Sequence, residues 1–172
     1  MTTFAHIGGG IVTAAAVQHF VLREEITPTT IVIGALLGLL PDLDSVFALL
    51  LGKWSPGAGR LSHHRYFTHT PIFFLILAGW IWLAAGWKWA LMFLAVTLTH
   101  LLFDSWSTDD GIMWLWPLRD QQYSLFLMET HSGGIYGLQF YTRYLSTPRL
   151  IFPELILVAG GVYVILRYLF NR

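Results

Sequence analysis

Long apolar runs broken by short polar turns make up most of this chain, and the runs have the length of membrane spans rather than of strands. A helix rises about 1.5 Å per residue, so about twenty apolar residues cross a hydrocarbon core of roughly 30 Å. Runs of that kind occupy residues 4–22, 29–51, 71–86, 88–106 and 150–170. Between them lie Arg23-Glu24-Glu25, a mixed stretch ending at His69-Thr70, the link Gly86-Trp87-Lys88-Trp89, and a polar and aromatic region over 107–149. The pattern predicts an all-α, polytopic membrane helical bundle of about five spans with an interfacial loop region, folded as a single membrane-embedded domain over 1–172. The first run has no basic leader and no small-residue cleavage site, so it reads as an uncleaved span. The Gly86–Trp89 link is short enough to force its two helices into an antiparallel pair, with indoles at the headgroup level.

Composition sharpens this. The 172 residues are 55% hydrophobic, 16% aromatic and 12% charged, against about 25% charged in an ordinary soluble domain. Ten basic and ten acidic residues cancel, which removes the electrostatic footprint of a nucleic-acid binder. Cysteine is absent, so thiolate nucleophiles, disulfides and sulfur-ligated metals are excluded. Any metal must be held by imidazoles and carboxylates.

The polar residues inside the apolar runs are not scattered. If the spans alternate up and down, one membrane face collects the start of the first span, the end of the second, the start of the third and the end of the fourth. His6, then Asp42 and Asp44, then His63, His64 and His69, and finally His100 and Asp104 stand at those places. The opposite turns hold Arg23, Glu24, Glu25 and Lys88, and His19 near that face reads as structural. Asp42 and His100 each lie about 20 Å along their helices, some 10 Å inside the near boundary. His100 and Asp104 share a helix face. Asp42 and Asp44 would point about 200° apart on a regular helix, so both serve one site only if the backbone unwinds there; Pro41 provides for that.

An ionised Asp at the middle of a span costs about 2.5–3.5 kcal/mol on insertion scales. One such acid is explained by a hydrogen bond to a neighbouring helix; several together with four imidazoles call for a bound cation. Without sulfur, the donor set favours zinc first and manganese second, as one or two ions. His131 lies in the loop above this face, while Asp109, Asp110 and Asp120 read as turn residues.

Pro41-Asp42-Leu43-Asp44, His64-Arg65-Tyr66-Phe67-Thr68-His69-Thr70 and His100-Leu101-Leu102-Phe103-Asp104, in that order after an N-terminal His6, resemble the YdjM-like family of predicted membrane-bound metal-dependent hydrolases. That family carries a His, then PDxD, HRGxTHS and HxxxD, then a Gly and a WP pair, matched here by Gly111 and Trp116-Pro117. Tyr66 stands where the pattern has Gly and Thr70 where it has Ser. The first departure alters the local turn; the second keeps a hydroxyl. The resemblance covers about the first 120 residues and implies a His/Asp metal site. The pattern is also distantly similar to zinc-dependent phospholipase C enzymes, which implies phosphodiester chemistry.

The expectation is therefore an integral-membrane, metal-dependent hydrolase in which His6, Asp42, Asp44, His64, His69, His100 and Asp104 surround the metal. Metal-activated water would attack a phosphodiester or phosphate ester of a lipid-like substrate. Asp42 or Asp44 would bridge ions or act as general base, Arg65 would meet an anionic substrate oxygen, and Thr68 would orient a ligand. No HExxH, adjacent His-Asp pair or GxSxG is present for the competing hydrolase classes. The alternative is a non-catalytic membrane protein using bound metal for structure, sensing or ion passage. Membrane lipid is the expected partner, nucleic acid is not, and the sequence does not fix the oligomeric state. Lys53, Arg60, Arg65, Arg119, Arg143 and Arg149 on the site face, against Arg23, Lys88, Arg167 and Arg172 opposite, favour a cytoplasmic site face in the cell membrane.

Overall fold

A computed structural model of the chain describes residues 1–50, 63–107, 111–125, 142 and 144–170. His131, Asp109, Asp110, Lys53, Arg60, Arg143 and Arg172 lie outside the described residues, as does the side chain of His63. Among the described residues the architecture is helical. Helix α1 (Thr3–Ala16) continues through a π-helical turn, Val17–Val21. It is followed by α2 (Pro28–Leu39), α3 (Leu43–Leu50), two 3-10 turns at His63–Arg65 and Phe67–His69, α4 (Pro71–Ala85), α5 (Trp87–Ser107) and α6 (Pro148–Phe170).

Three of these helices, Thr3–Val21, Trp87–Trp106 and Pro148–Phe170, are long and apolar enough to cross a membrane. The expected spans at 29–51 and 71–86 are shorter. Pro28–Leu39 has 12 residues and Pro71–Ala85 has 15, so each covers only about 18–22 Å of axis. The second run is shortened for a reason visible in its hydrogen bonds. After Leu39 the backbone tightens into i→i−3 bonds, Asp42 N–H to Leu39 O (3.1 Å), Leu43 N–H to Leu40 O (3.2 Å) and Ser45 N–H to Asp42 O (3.1 Å). Pro41 has no N–H to carry the α-helical ladder through this point. The run becomes two helices with both acids at the joint.

Local sequence sets the other ends. Thr27 and Thr30 form a reciprocal capping box with Pro28 in the first turn of α2. Gly86, at φ 94°, ends α4 and lets α5 start one residue later, which makes the antiparallel pair.

Helix α1 is the centre of the bundle, packed against α2, α5 and α6. Small residues allow this. A Cβ on Gly10 would collide with the Gly34 carbonyl oxygen, and one on Gly38 with the His6 carbonyl oxygen. On the other side a Cβ on Gly8 would strike the backbone at Leu157, and Gly161 packs on Gly8. Backbones in van der Waals contact are the membrane substitute for a hydrophobic driving force between helices. A second apolar cluster, Phe74, Ala78, Ala90, Phe93, Leu101 and Ile112, joins α4 to α5.

The stretch 111–125 is docked rather than loose. Ile112 and Tyr123 pair as an antiparallel bridge, Ile112 and Met113 are buried, and Trp114 Nε1 donates to Ser105 Oγ at 2.7 Å. Gly111 lies against the Tyr123 carbonyl, where a side chain would collide, and Trp116 packs near Phe67 with ring centroids 6.4 Å apart. The loop thereby reaches the Phe67–His69 turn, which carries His69.

Gly38→Ala is expected to destabilise the protein by about 1–3 kcal/mol through overpacking against α1. Gly79→Ala, at an α4 position with open space around it, should be neutral or stabilising by up to about 1 kcal/mol. Thermal unfolding of the two variants in detergent compares them directly.

Candidate metal centre

The alternation of helices brings the polar exceptions to one end of the bundle. His6 sits in the first turns of α1, Asp42 and Asp44 at the α2–α3 joint, His64 and His69 in the 3-10 turns before α4, and His100 and Asp104 late in α5. The other end is marked by an ion pair between Lys88 and Glu24, which ties the α4–α5 turn to the α1–α2 turn. His19 lies near that other end, exposed and edge-on to Phe20.

Asp104 is the hub. Its Oδ1 lies 3.0 Å from His6 Nε2 and accepts from the Met1 amine at 2.8 Å. Its Oδ2 lies 2.9 Å from His100 Nε2, 3.3 Å from His69 Nε2 and 3.7 Å from His64 Nε2. All five side chains are buried, with Asp104 1% exposed. The His6 and His100 rings stack with centroids 3.7 Å apart, and His64 and His69 lie against one another at 4.8 Å. Asp42 closes one side, its Oδ1 3.5 Å from His100 Nε2, and with 28% exposure it is far more accessible than Asp104.

Two ligand groups emerge among the described residues, each with its donor atoms within 4.8 Å of one another. One is His6, Asp42, His100 and Asp104; the other is His64, His69 and Asp104. Asp104 belongs to both.

Hydrogen bonding shows that these donors suit a cation. His100 Nδ1 donates to the Gly38 carbonyl at 2.7 Å, which in the neutral ring leaves Nε2 as a lone pair. Nε2 lies 2.9 Å from Asp104 Oδ2 and 3.5 Å from Asp42 Oδ1, buried and without a well-aligned hydrogen bond to either. His6 Nδ1 and Asp44 Oδ1 are likewise buried without a hydrogen-bond partner. A site that gathers these imidazoles with the carboxylates of Asp42 and Asp104 offers the nitrogen and oxygen donors that a divalent ion takes. A His fixed through its other nitrogen by a backbone carbonyl is also the usual outer support of a metal ligand.

Asp44 has a different place from Asp42. Its Oδ2 lies 3.0 Å from His69 Nδ1 and accepts from Thr68 Oγ1 at 3.0 Å, so it stands behind His69. Burial opposes protonation of His69, but hydrogen bonds and charge from Asp104 and Asp44 outweigh it and raise the pKa above the usual imidazole value. Arg65, in the neighbouring turn, is exposed.

One buried acid was absent from the sequence-based set. Glu154 of α6 accepts from the Thr2 backbone N–H at 2.6 Å, from Thr2 Oγ1 at 2.5 Å and from Tyr144 OH at 2.6 Å. Thr2 is the N-cap of α1, so Glu154 fixes the turn that presents His6. A lone acid beside Pro153 in an otherwise apolar run was the available signal.

Comparison with known proteins agrees with this architecture. The sequence model of the YdjM inner membrane protein family matches residues 1–172. The chain belongs to the YdjM family. It is 34% identical over 108 residues to inner membrane protein YbcI of Escherichia coli (strain K12), a match covering 58% of this chain and 60% of that relative. The chain thus spans less than two thirds of the curated relative it matches. No solved structure matches it. With its apolar helices, this YdjM-family chain is a multi-pass membrane protein of a family located in the inner membrane.

Glu154→Ala leaves the Thr2 and Tyr144 donors without their acceptor and should cost about 1–3 kcal/mol. Glu154→Gln, which keeps a carbonyl oxygen for Thr2, should recover part of that. Thermal unfolding of both variants in detergent measures the difference.

Proposed function

We propose that this YdjM-family protein is a membrane-embedded, metal-dependent hydrolase that cleaves a phosphodiester or phosphate ester of a lipid-like substrate. The observation that supports the reading most is the buried His100 Nε2, which Gly38 holds against two carboxylates, among three further imidazoles, without a hydrogen bond of its own. His6, Asp42, His100 and Asp104 would hold one ion, and His64, His69 and Asp104 are the residues that would hold a second, Asp104 being common to both groups. Zinc suits the nitrogen and oxygen donors best, and manganese next. An ion held by these residues would supply water of lowered pKa and a Lewis acid for the scissile phosphoryl group.

The protein's own residues then divide the remaining work. Asp42, the accessible carboxylate of the cluster, takes the proton of the attacking water as general base. Asp44 orients His69 through Nδ1, and Thr68 holds Asp44 in turn. Arg65, exposed in the turn beside His64, would meet an anionic oxygen of the substrate with its planar fork. A reaction centre near one end of a membrane bundle favours a substrate with a polar head and a buried tail. The site face is cytoplasmic in this reading.

Elemental analysis of the purified protein should find about one or two divalent ions per chain. His100→Ala and Asp104→Asn should each lower that content at least about tenfold, as loss of a ligand does. Asp42→Asn should retain metal better than either while losing at least about a hundredfold in hydrolysis of a lipid phosphodiester panel. Full metal occupancy with no chelator-sensitive turnover on such a panel would reassign the site to structure or sensing.

The raised pKa of His69 makes a separate, signed prediction. Its proton competes with the metal, so affinity should rise with pH and keep rising above the ordinary imidazole range. Calorimetry in buffers of different ionisation enthalpy should detect proton release on metal binding, and Asp44→Asn should shift that dependence to lower pH.

A further inference from the structure

The end of the bundle remote from the His/Asp cluster carries a second feature. A cavity of about 250 Å³ lies between the α1–α2 turn, the start of α2 and the start of α5, with Gln18, Glu24, Thr27 and Lys88 among its polar lining. Its apolar lining includes Ile33 and Trp89. The same two residues form the wall of another cavity, of about 260 Å³, whose remaining lining is Leu36, Leu37, Ile81 and Phe93. The two spaces therefore adjoin, one with a polar mouth of Gln18, Glu24, Thr27 and Lys88 and the other an apolar trough along α2, α4 and α5.

The geometry points to a binding site for a single zwitterionic phospholipid with a phosphoethanolamine head, seated at Lys88 and Glu24 with one hydrocarbon chain in the trough. In a bilayer such a trough is filled by hydrocarbon, because water finds no hydrogen-bond partners there and a void forfeits dispersion contacts. The mouth presents one cation and one anion, paired to each other, and Gln18 Nε2 donates to Glu24 Oε2 at 2.8 Å. A head with one phosphate and one ammonium can exchange with that pair and leave no charge unmatched. An anionic head would meet the Glu24 carboxylate, and a purely cationic one the Lys88 ammonium. Glu24 is held by N–H donors, so a primary ammonium replaces them, whereas a quaternary one has no hydrogen to donate.

The test uses the full chain in mild detergent, titrated with phosphatidylethanolamine, phosphatidylglycerol and phosphatidylcholine of identical chains and read by native mass spectrometry. Phosphatidylethanolamine should be retained about threefold or more over the other two, the scale of exposed charge pairs. Lys88→Gln, at a half-exposed position, should erase that preference. Leu36 is 62% exposed, so Leu36→Trp fills the trough without overpacking and should lower retention of all three lipids about tenfold. Soluble phosphoethanolamine at the same concentration should displace none of them. Equal retention of the three lipids by the unsubstituted protein overturns the proposal, as does unchanged retention in a stably folded Leu36→Trp. Displacement by the soluble head alone overturns it too, in favour of a free phosphate compound.

Discussion

A carboxylate buried to 1% exposure at the end of an apolar helix must be surrounded by positive charge or hydrogen-bond donors, and the arrangement around Asp104 follows from that demand. Four helices or turns each deliver an imidazole edge to one of its two oxygens. None of these histidines could satisfy Asp104 alone, since each reaches only one oxygen. The cluster is therefore a property of the bundle and forms only when α1, the α2–α3 joint, the turns before α4 and α5 are all in place.

Close backbone packing makes that convergence possible. His6 reaches Asp104 because α1 lies in the middle of the bundle, and α1 fits there because Gly8 and Gly10 leave room for α6 and α2. The same contact carries chemistry. Gly38 packs on the His6 backbone, and its carbonyl takes the Nδ1 proton of His100. One glycine thus sets both the spacing of two helices and the tautomer of a site histidine. Glu154 does a comparable job from α6, capping the helix that presents His6.

The sequence made the fold class, the order of the apolar runs and the shared face of His6, Asp42, His64, His69, His100 and Asp104 legible, because each rests on a period or a length that a reader can count. Strict alternation of spans places these residues together before any distance is known. Three things were not legible. The i→i−3 tightening after Leu39 was foreshadowed by Pro41, but the shortening of α2 depends on how the joint packs. The separation of Asp42 from Asp44 into different surroundings needs the orientation of His69, which no spacing rule supplies. Glu154 was readable as an oddity in an apolar run, yet its partner Thr2 is 152 residues away in sequence, and pairings across that distance leave no local trace.

The two ends of the bundle also treat charge differently. At one end Lys88 and Glu24 pair at the surface, half exposed, where ionised groups cost little and contribute little. At the other, four imidazoles and Asp104 are sealed from solvent, where each ionised group carries a desolvation penalty of several kcal/mol. Apolar side chains of similar volume would fill that space without the penalty, so the cluster is a poor device for holding helices together. A bound ion would offset that penalty, and Asp42 is the most exposed of the carboxylates that face the cluster.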